Sequence, residues 1–231
     1  MIQTNKKGFT LLELLIVITI LAILTLVVVL FINPVEILKK SRDVQRMSDL
    51  STAKTAIVLY LQDRGSNNLG GTTYCASSVP AAGILDTATG NKIRMSLGAT
   101  AANEKTSAGT PRYYTATTTA DVYLNSGKGW IPYVDFTTFA SGAPIEKLPA
   151  DPTNTGGSGG TEGINSLYYR YACKTNNTFE IDATLESDTY GPIGTDPKSS
   201  VDGGNSGMRY EVGTDLNILP STAPLFANPL T

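Results

Sequence analysis

The segment KKGFTLLELLIVITILAILTLVVVLFINP, residues 6–34, decides how the rest of the chain is read. From Phe9 to Ile32 it holds a single charged residue, Glu13. A helix over that run is roughly 36 Å long at about 1.5 Å per residue, enough to cross a hydrocarbon layer roughly 30 Å thick with modest tilt. Leu, Ile, Val and Phe recur around its whole circumference, as a lipid-facing helix requires. An ordinary secretory signal peptide fits less well. The apolar run exceeds the roughly 7–15 residues of such a core, and no A-x-A-like site follows it. Hydropathy alone leaves an uncleaved signal anchor open.

Glu13 separates these readings. A carboxylate in an apolar helix costs about 2.5–3.5 kcal/mol at mid-bilayer and less near the interface. A simple anchor gains nothing from it. The acid makes sense where a positive group meets it in apolar surroundings. Cleavage between Gly8 and Phe9 would create such a group, the new α-amino group of Phe9, to compensate Glu13 of the same or a neighbouring chain.

Lys6 and Lys7, Gly8, Phe9 and Glu13 together resemble the leader and cleavage site of type IV pilins and type II secretion pseudopilins. The resemblance implies that a prepilin peptidase removes residues 1–8 and methylates Phe9. Residues 9–33 would then be a transmembrane helix that later becomes filament core, with Glu13 and Phe9 pairing during assembly. The implied partners are identical or homologous subunits, the membrane, the peptidase and an inner-membrane assembly platform. Lys6 and Lys7 flank one side of the span and Lys39, Lys40 and Arg42 the other, so charge alone leaves orientation open. The resemblance puts the leader in the cytoplasm, later residues outside, and the assembled subunit in a cell-surface filament. It is specific over residues 1 to about 64 and architectural beyond.

Asn33-Pro34 ends the apolar run, and a proline there predicts a helix break. Many type IV pilins carry this proline about one turn earlier, where Leu30 stands here. Residues 34–64 read as an amphipathic continuation. Ile37, Val44, Met47, Leu50, Ala53, Ile57 and Leu61 form the apolar stripe, and Lys39, Lys40, Arg42, Asp43, Arg46 and Asp49 lie mostly off it. Gly65 to Asn68 supplies a stop. Residues 65–120 form a variable αβ connection in which Ile84-Leu85 and Ile93 to Leu97 predict short helices or strands. Residues 121–231 form a β-sheet headgroup with a C-terminal loop and tail. Within it, Trp130 to Phe136 reads as an edge or interrupted strand because of Pro132. Leu167 to Cys173 and the alternating Phe179 to Leu185 form a hairpin around Asn176-Asn177, and Arg209 to Val212 adds a last strand. The expected fold class is α+β and pilin-like: a long N-terminal helix, membrane-spanning in its first half, packed on a C-terminal antiparallel sheet.

Composition excludes much chemistry. The 231 residues carry a formal charge of -2 and no histidine. Imidazole-dependent nucleophile activation and histidine zinc sites are therefore ruled out. With no catalytic motif, a non-enzymatic protein is expected. The acidic balance argues against a nucleic-acid surface. Cys75 and Cys173 are the two cysteines. If this part is exported they pair as one disulfide worth about 4–5 kcal/mol in the chain-entropy view; otherwise they are two buried thiols.

Other signals are weaker. The glycine-rich stretch Thr153 to Gly163 lacks a phosphate-loop pattern and reads as a surface loop. Asn176-Asn177-Thr178 fits a glycosylation sequon but also a hairpin turn. Tyr113-Tyr114, Tyr168-Tyr169 and Tyr171 suit strand packing or an adhesive surface. No cofactor is expected, although Asp182, Asp188, Asp196, Asp202 and Asn205 offer oxygen atoms for calcium in a C-terminal loop, as in some pseudopilins. The leading functional expectation is a structural filament subunit. The alternative is a minor tip pilin or pseudopilin that binds surfaces, DNA or secreted substrate.

Overall fold

The computed structural model describes residues 8–64, 69–75, 93–97, 113–115, 121–155 and 167–219. It divides into two units, one up to Lys39 and one from Lys40 onward. The leader residues before Gly8, the stop at 65–68, Ile84-Leu85, the glycine-rich stretch from 156 and the tail from 220 lie outside the described residues.

In the first unit, α1 runs from Leu11 to Ile32. Asn33 caps it in the left-handed region at φ 45°, which asparagine tolerates better than most residues. The next helix, α2 (Pro34–Arg64), starts at once, with proline at its first position, where its missing N–H leaves no bond unmade. The Asn33 carbonyl accepts the N–H groups of Glu36 (3.1 Å) and Ile37 (3.4 Å). The interruption is therefore a junction at which one helix ends and the next starts on the Asn33 carbonyl.

The second unit is built around a five-stranded sheet in the order β2-β1-β3-β4-β5. The strands are β1 (Ile93–Met95), β2 (Tyr113–Thr115), β3 (Tyr169–Cys173), β4 (Phe179–Ala183) and β5 (Tyr210–Gly213). β1, β3, β4 and β5 pair antiparallel, while β2 adds a parallel edge on β1. Four antiparallel strands after a long apolar helix make an α+β architecture consistent with a pilin-like fold. The β3–β4 turn places Asn177 at φ 68°, and the Asn176 side chain accepts from the Thr178 N–H and hydroxyl. Asn176-Asn177 thus does hairpin work. A short helix, α3 (Gly71–Tyr74), leads into Cys75, which is disulfide-bonded to Cys173 on β3.

One sheet face packs on α2. Leu50, Ala53, Ala56, Ile57 and Tyr60 share a core with Tyr169, Tyr171, Phe179, Ile181 and Val212. Two expectations change here. The buried helix face continues through Arg46 and Asp43, not Val44 and Met47; Val44 and Ile37 are half exposed. Steps of three and four residues (43, 46, 50, 53, 57, 60) define this face. The ion-paired positions occupy it because loop residues meet them there. Trp130 to Phe136 is not a strand either. Pro132 lacks a donor and Tyr133 turns at φ 69°, so Ile131 and Val134 both point inward and only Asp135 makes an isolated bridge, to Ser126.

The opposite sheet face is also covered. β4 alternates as a half-buried strand would, yet all five of its residues are buried. Tyr168 and Ala172 pack with Ile93, Met95, Leu97, Ile218 and Leu219. Between these apolar contacts the polar side chains of β3, β4 and β5 are sealed in pairs. Tyr168, Tyr169 and Tyr171 are all buried, so they serve packing and not an adhesive surface.

Candidate functional site

Two groups of residues stand out, the start of α1 and the ionised groups buried against the sheet. At the first, Thr10 is the N-cap of α1 and Glu13 stands three residues later. The Thr10 hydroxyl accepts the Glu13 N–H at 3.2 Å and donates to Glu13 Oε2 at 2.8 Å; the Thr10 N–H also donates to Oε2, at 2.9 Å. This is a capping box, in which two otherwise orphaned helix-start N–H groups are satisfied reciprocally. Sequence reasoning missed it, although the Thr-x-x-Glu spacing was available to signal it. Glu13 therefore has a bonding role in the uncleaved chain as well as the pairing role expected of it.

Gly8 and Phe9 precede the cap. Phe9 is 77 % exposed, and a methyl group added at Gly8 would meet nothing within 4 Å. Among the described residues, nothing demands glycine at position 8. Behind the cap, Leu11–Val29 is long and apolar enough to cross a membrane, with a mean hydropathy of 3.0 and none of it buried. Thr19 and Thr25, the polar interruptions, donate their hydroxyls to carbonyls one turn back, Ile16 at 2.8 Å and Leu21 and Ala22 at 3.0 Å. Their polarity is absorbed within the helix. None of the described residues covers this apolar surface.

The second group centres on Arg46, a fully buried guanidinium. Its Nε and Nη2 grip Asp151 at 2.6 and 3.0 Å; its Nη1 meets Asp43 at 2.8 Å and Glu186 at 2.7 Å; its Nη2 also reaches Thr153 at 3.2 Å. All five donors of the planar fork are used. Burial would lower the Arg46 pKa, but bonds to Asp151, Glu186 and Asp43 outweigh that and raise it. The acids are tied down in turn. Asp43 accepts the Glu186 and Ser187 N–H groups at 2.9 and 2.8 Å, and Asp151 accepts those of Thr153 and Asn154 at 2.8 and 3.1 Å. Arg42 adds a bidentate bond to Glu186 at 2.7 and 2.8 Å. The result is a clamp joining α2 to two distant loops.

Of the residues considered for calcium, Asp182, Asp196, Asp202 and Asn205 make separate contacts. Asp182 is bonded by Arg170 and Arg209, whose charges hold it below the usual carboxylate range although burial alone would raise it. Asp196 meets Lys198, and Asp202 accepts the Gly204 and Glu211 N–H groups. Asn205 contacts Asn217. Among the described residues, carboxylates within 4.8 Å of one another occur at Glu180, Asp182 and Glu211. Asp182 already spends its lone pairs on two guanidiniums there, which disfavours a cation. The disulfide ties α3 to β3, and the buried Cys75 and Cys173 lie within the helix-side core.

Comparison with known proteins singles out the first group. Residues 3–29 match the prokaryotic N-terminal methylation motif. No curated protein and no solved structure matches the chain. The motif implies processing by a prepilin peptidase and assembly with other pilins, and together with the apolar helix it fits membrane anchoring before assembly. It points to a structural rather than a catalytic protein. Over residues 3–29 the chain carries the signature of type IV pilins and pseudopilins.

Proposed function

We propose that the chain is a structural subunit of a type IV pilus or a pseudopilus-like extracellular filament, cut between Gly8 and Phe9, methylated on Phe9 and polymerised through α1. The observation that carries this reading is the wholly exposed apolar helix Leu11–Val29, opened by the lone acid Glu13. In a membrane, lipid covers that surface; in a polymer, the same surface on neighbouring copies does. The exchange costs little apolar exposure, which lets the subunit be stored and then extracted.

Glu13 supplies registry. In the uncleaved chain Thr10 satisfies it through the capping box. Removal of residues 1–8 brings a cationic amine at Phe9 one residue before Thr10. A neighbouring subunit's Glu13 that meets this amine compensates it in apolar surroundings, and any other axial position leaves both groups unpaired. The absence of a steric demand for glycine at position 8 supports a requirement set by the peptidase. The reading needs no cofactor and no catalytic group.

Electron microscopy of native filaments combined with N-terminal mass spectrometry of their subunits tests the whole proposal. The expected result is a filament containing this chain and beginning at an N-methylated Phe9. A chain that retains Met1 and stays monomeric in the membrane overturns it.

A further inference from the structure

Behind the sheet, on the face away from α2, carboxylate oxygens of two buried glutamates lie within 4.8 Å of each other. Glu180 of β4 is 0 % exposed and Glu211 of β5 is 1 % exposed. Glu180 Oε2 accepts the N–H groups of Ile218 and Leu219 at 2.7 and 2.8 Å, and Glu211 Oε2 accepts the Ser206 N–H at 3.0 Å. The second oxygen of each, Oε1, is buried and has no N–H or hydroxyl donor. Two buried anions left so would be strongly destabilising, since each orphan oxygen forfeits its hydration and the charges repel.

Among the described residues, no side chain supplies the missing positive charge to either Oε1. On β4 the next inward residue of the same face is Asp182, an anion already engaged by Arg170 of β3 and by Arg209 at the start of β5. Asp202, in the turn packed over β5, adds a further negative charge near Glu211. Of the four oxygens of the pair, Glu180 Oε2 is the one that receives backbone N–H groups from segment 214–219. One proton placed between the carboxyls resolves every deficit. It gives Glu180 an O–H that donates to Glu211, satisfies both orphan oxygens and removes one unit of buried charge.

We propose that Glu180 and Glu211 share one proton and that this pair is a pH-sensitive clasp holding the Ile218–Leu219 segment against the outer face of the sheet. Glu180 keeps the proton, because burial and the bond to Glu211 push its carboxyl up to about 9. Glu211 is raised too, chiefly by burial, and acts as acceptor. When the proton leaves, two carboxylates face each other in a dry site. The cheapest relief is for the strip that covers them, Ile218 and Leu219, to lift and admit water. The folded pKa lies above the ordinary value, so the clasp is firmest in mild acid and weakens as pH rises toward about 9.

The test is amide hydrogen exchange on the detergent-solubilised full chain, corrected for intrinsic exchange and read at Ile218 and Leu219. In the native chain their protection should fall about tenfold per pH unit between about pH 6 and 9. In Glu180→Gln, whose amide keeps the acceptor oxygen and donates to Glu211 without titrating, protection should be flat. A flat native profile, or an unchanged slope in Glu180→Gln, overturns the proposal. So does protection that collapses on adding a chelator at constant pH, which would mean a divalent cation in place of the proton. Should Glu180→Gln fail to fold, infrared spectroscopy of the native chain with isotope-labelled glutamate decides. A protonated-carboxyl band at neutral pH from labelled glutamate supports the clasp, and its absence removes it.

Discussion

Replacing Arg46 by alanine is the most exacting perturbation of the headgroup. The guanidinium is fully buried and spends all five N–H groups on Asp43, Asp151, Glu186 and Thr153. Its removal leaves Asp43 and Asp151 as buried anions that keep only their backbone donors. Deleting one partner of a buried ion pair typically costs about 3–5 kcal/mol, and the retained amide bonds keep the expected value within that range. Domain stability is only about 5–15 kcal/mol, so the variant should fold but sit near its limit. Arg42→Ala is the control. Arg42 is partly exposed and Glu186 keeps its bond from Arg46, so about 0.2–1 kcal/mol is expected. Arg46→Lys should resemble alanine more than arginine, because an ammonium cannot span the Asp43–Asp151 fork. The readout is urea unfolding of the detergent-solubilised full chain by fluorescence of Trp130, the single tryptophan, buried beside Tyr169 with its indole N–H on the Pro149 carbonyl at 2.8 Å. If Arg46→Ala lowers the midpoint no more than Arg42→Ala does, the clamp is not what holds α2 to the loops.

Gly8→Ala should leave folding untouched, since the added methyl meets nothing, yet abolish leader removal on a gel. A normal mobility shift would count against the cleavage assignment. Glu13→Val should keep the protein in the membrane while sharply reducing its recovery in filaments, and wild-type recovery would refute the registry role. Cys75→Ser opens a link between residues 98 apart in sequence and should cost about 4–5 kcal/mol in the same urea assay; an unchanged midpoint would show the crosslink to be dispensable. Acid should loosen the clamp. Burial would raise Glu186, but hydrogen bonds from Arg42 and Arg46 hold it below its usual value. Its contribution is therefore full above the ordinary carboxylate range and lost as pH falls through the depressed value, opposite in sign to Glu180; an acid limb unaffected by Glu186→Gln would contradict this.

The apolar helix and the methylation motif at the N-terminus were legible because their physics is local. An unbroken apolar run, one acid, a preceding glycine and an Asn-Pro stop act within a few residues of one another, whatever the rest of the chain does. The hairpin around Asn176-Asn177 was legible for the same reason. The capping box at Thr10 and Glu13 was equally local and was missed only because Glu13 was read for its charge and not for its spacing from Thr10. Trp130 to Phe136 misled because its residue types suit a strand, while Pro132 and the left-handed Tyr133 deny it a ladder.

Sequence alone determined that residues 9–32 form an apolar rod within a pilin-type methylation motif, and that helix precedes sheet. Only the tertiary structure decided which charges are buried. Asp43 and Arg46 look like a solvated helix face until Asp151 and Glu186 arrive from more than 100 residues away. The polar side of β4 likewise looks like an outer surface until the segment ending at Leu219 covers it. Hydropathy and capping are properties of neighbours along the chain. The energy of a buried ion depends on its partners in space, and linear order does not reveal them.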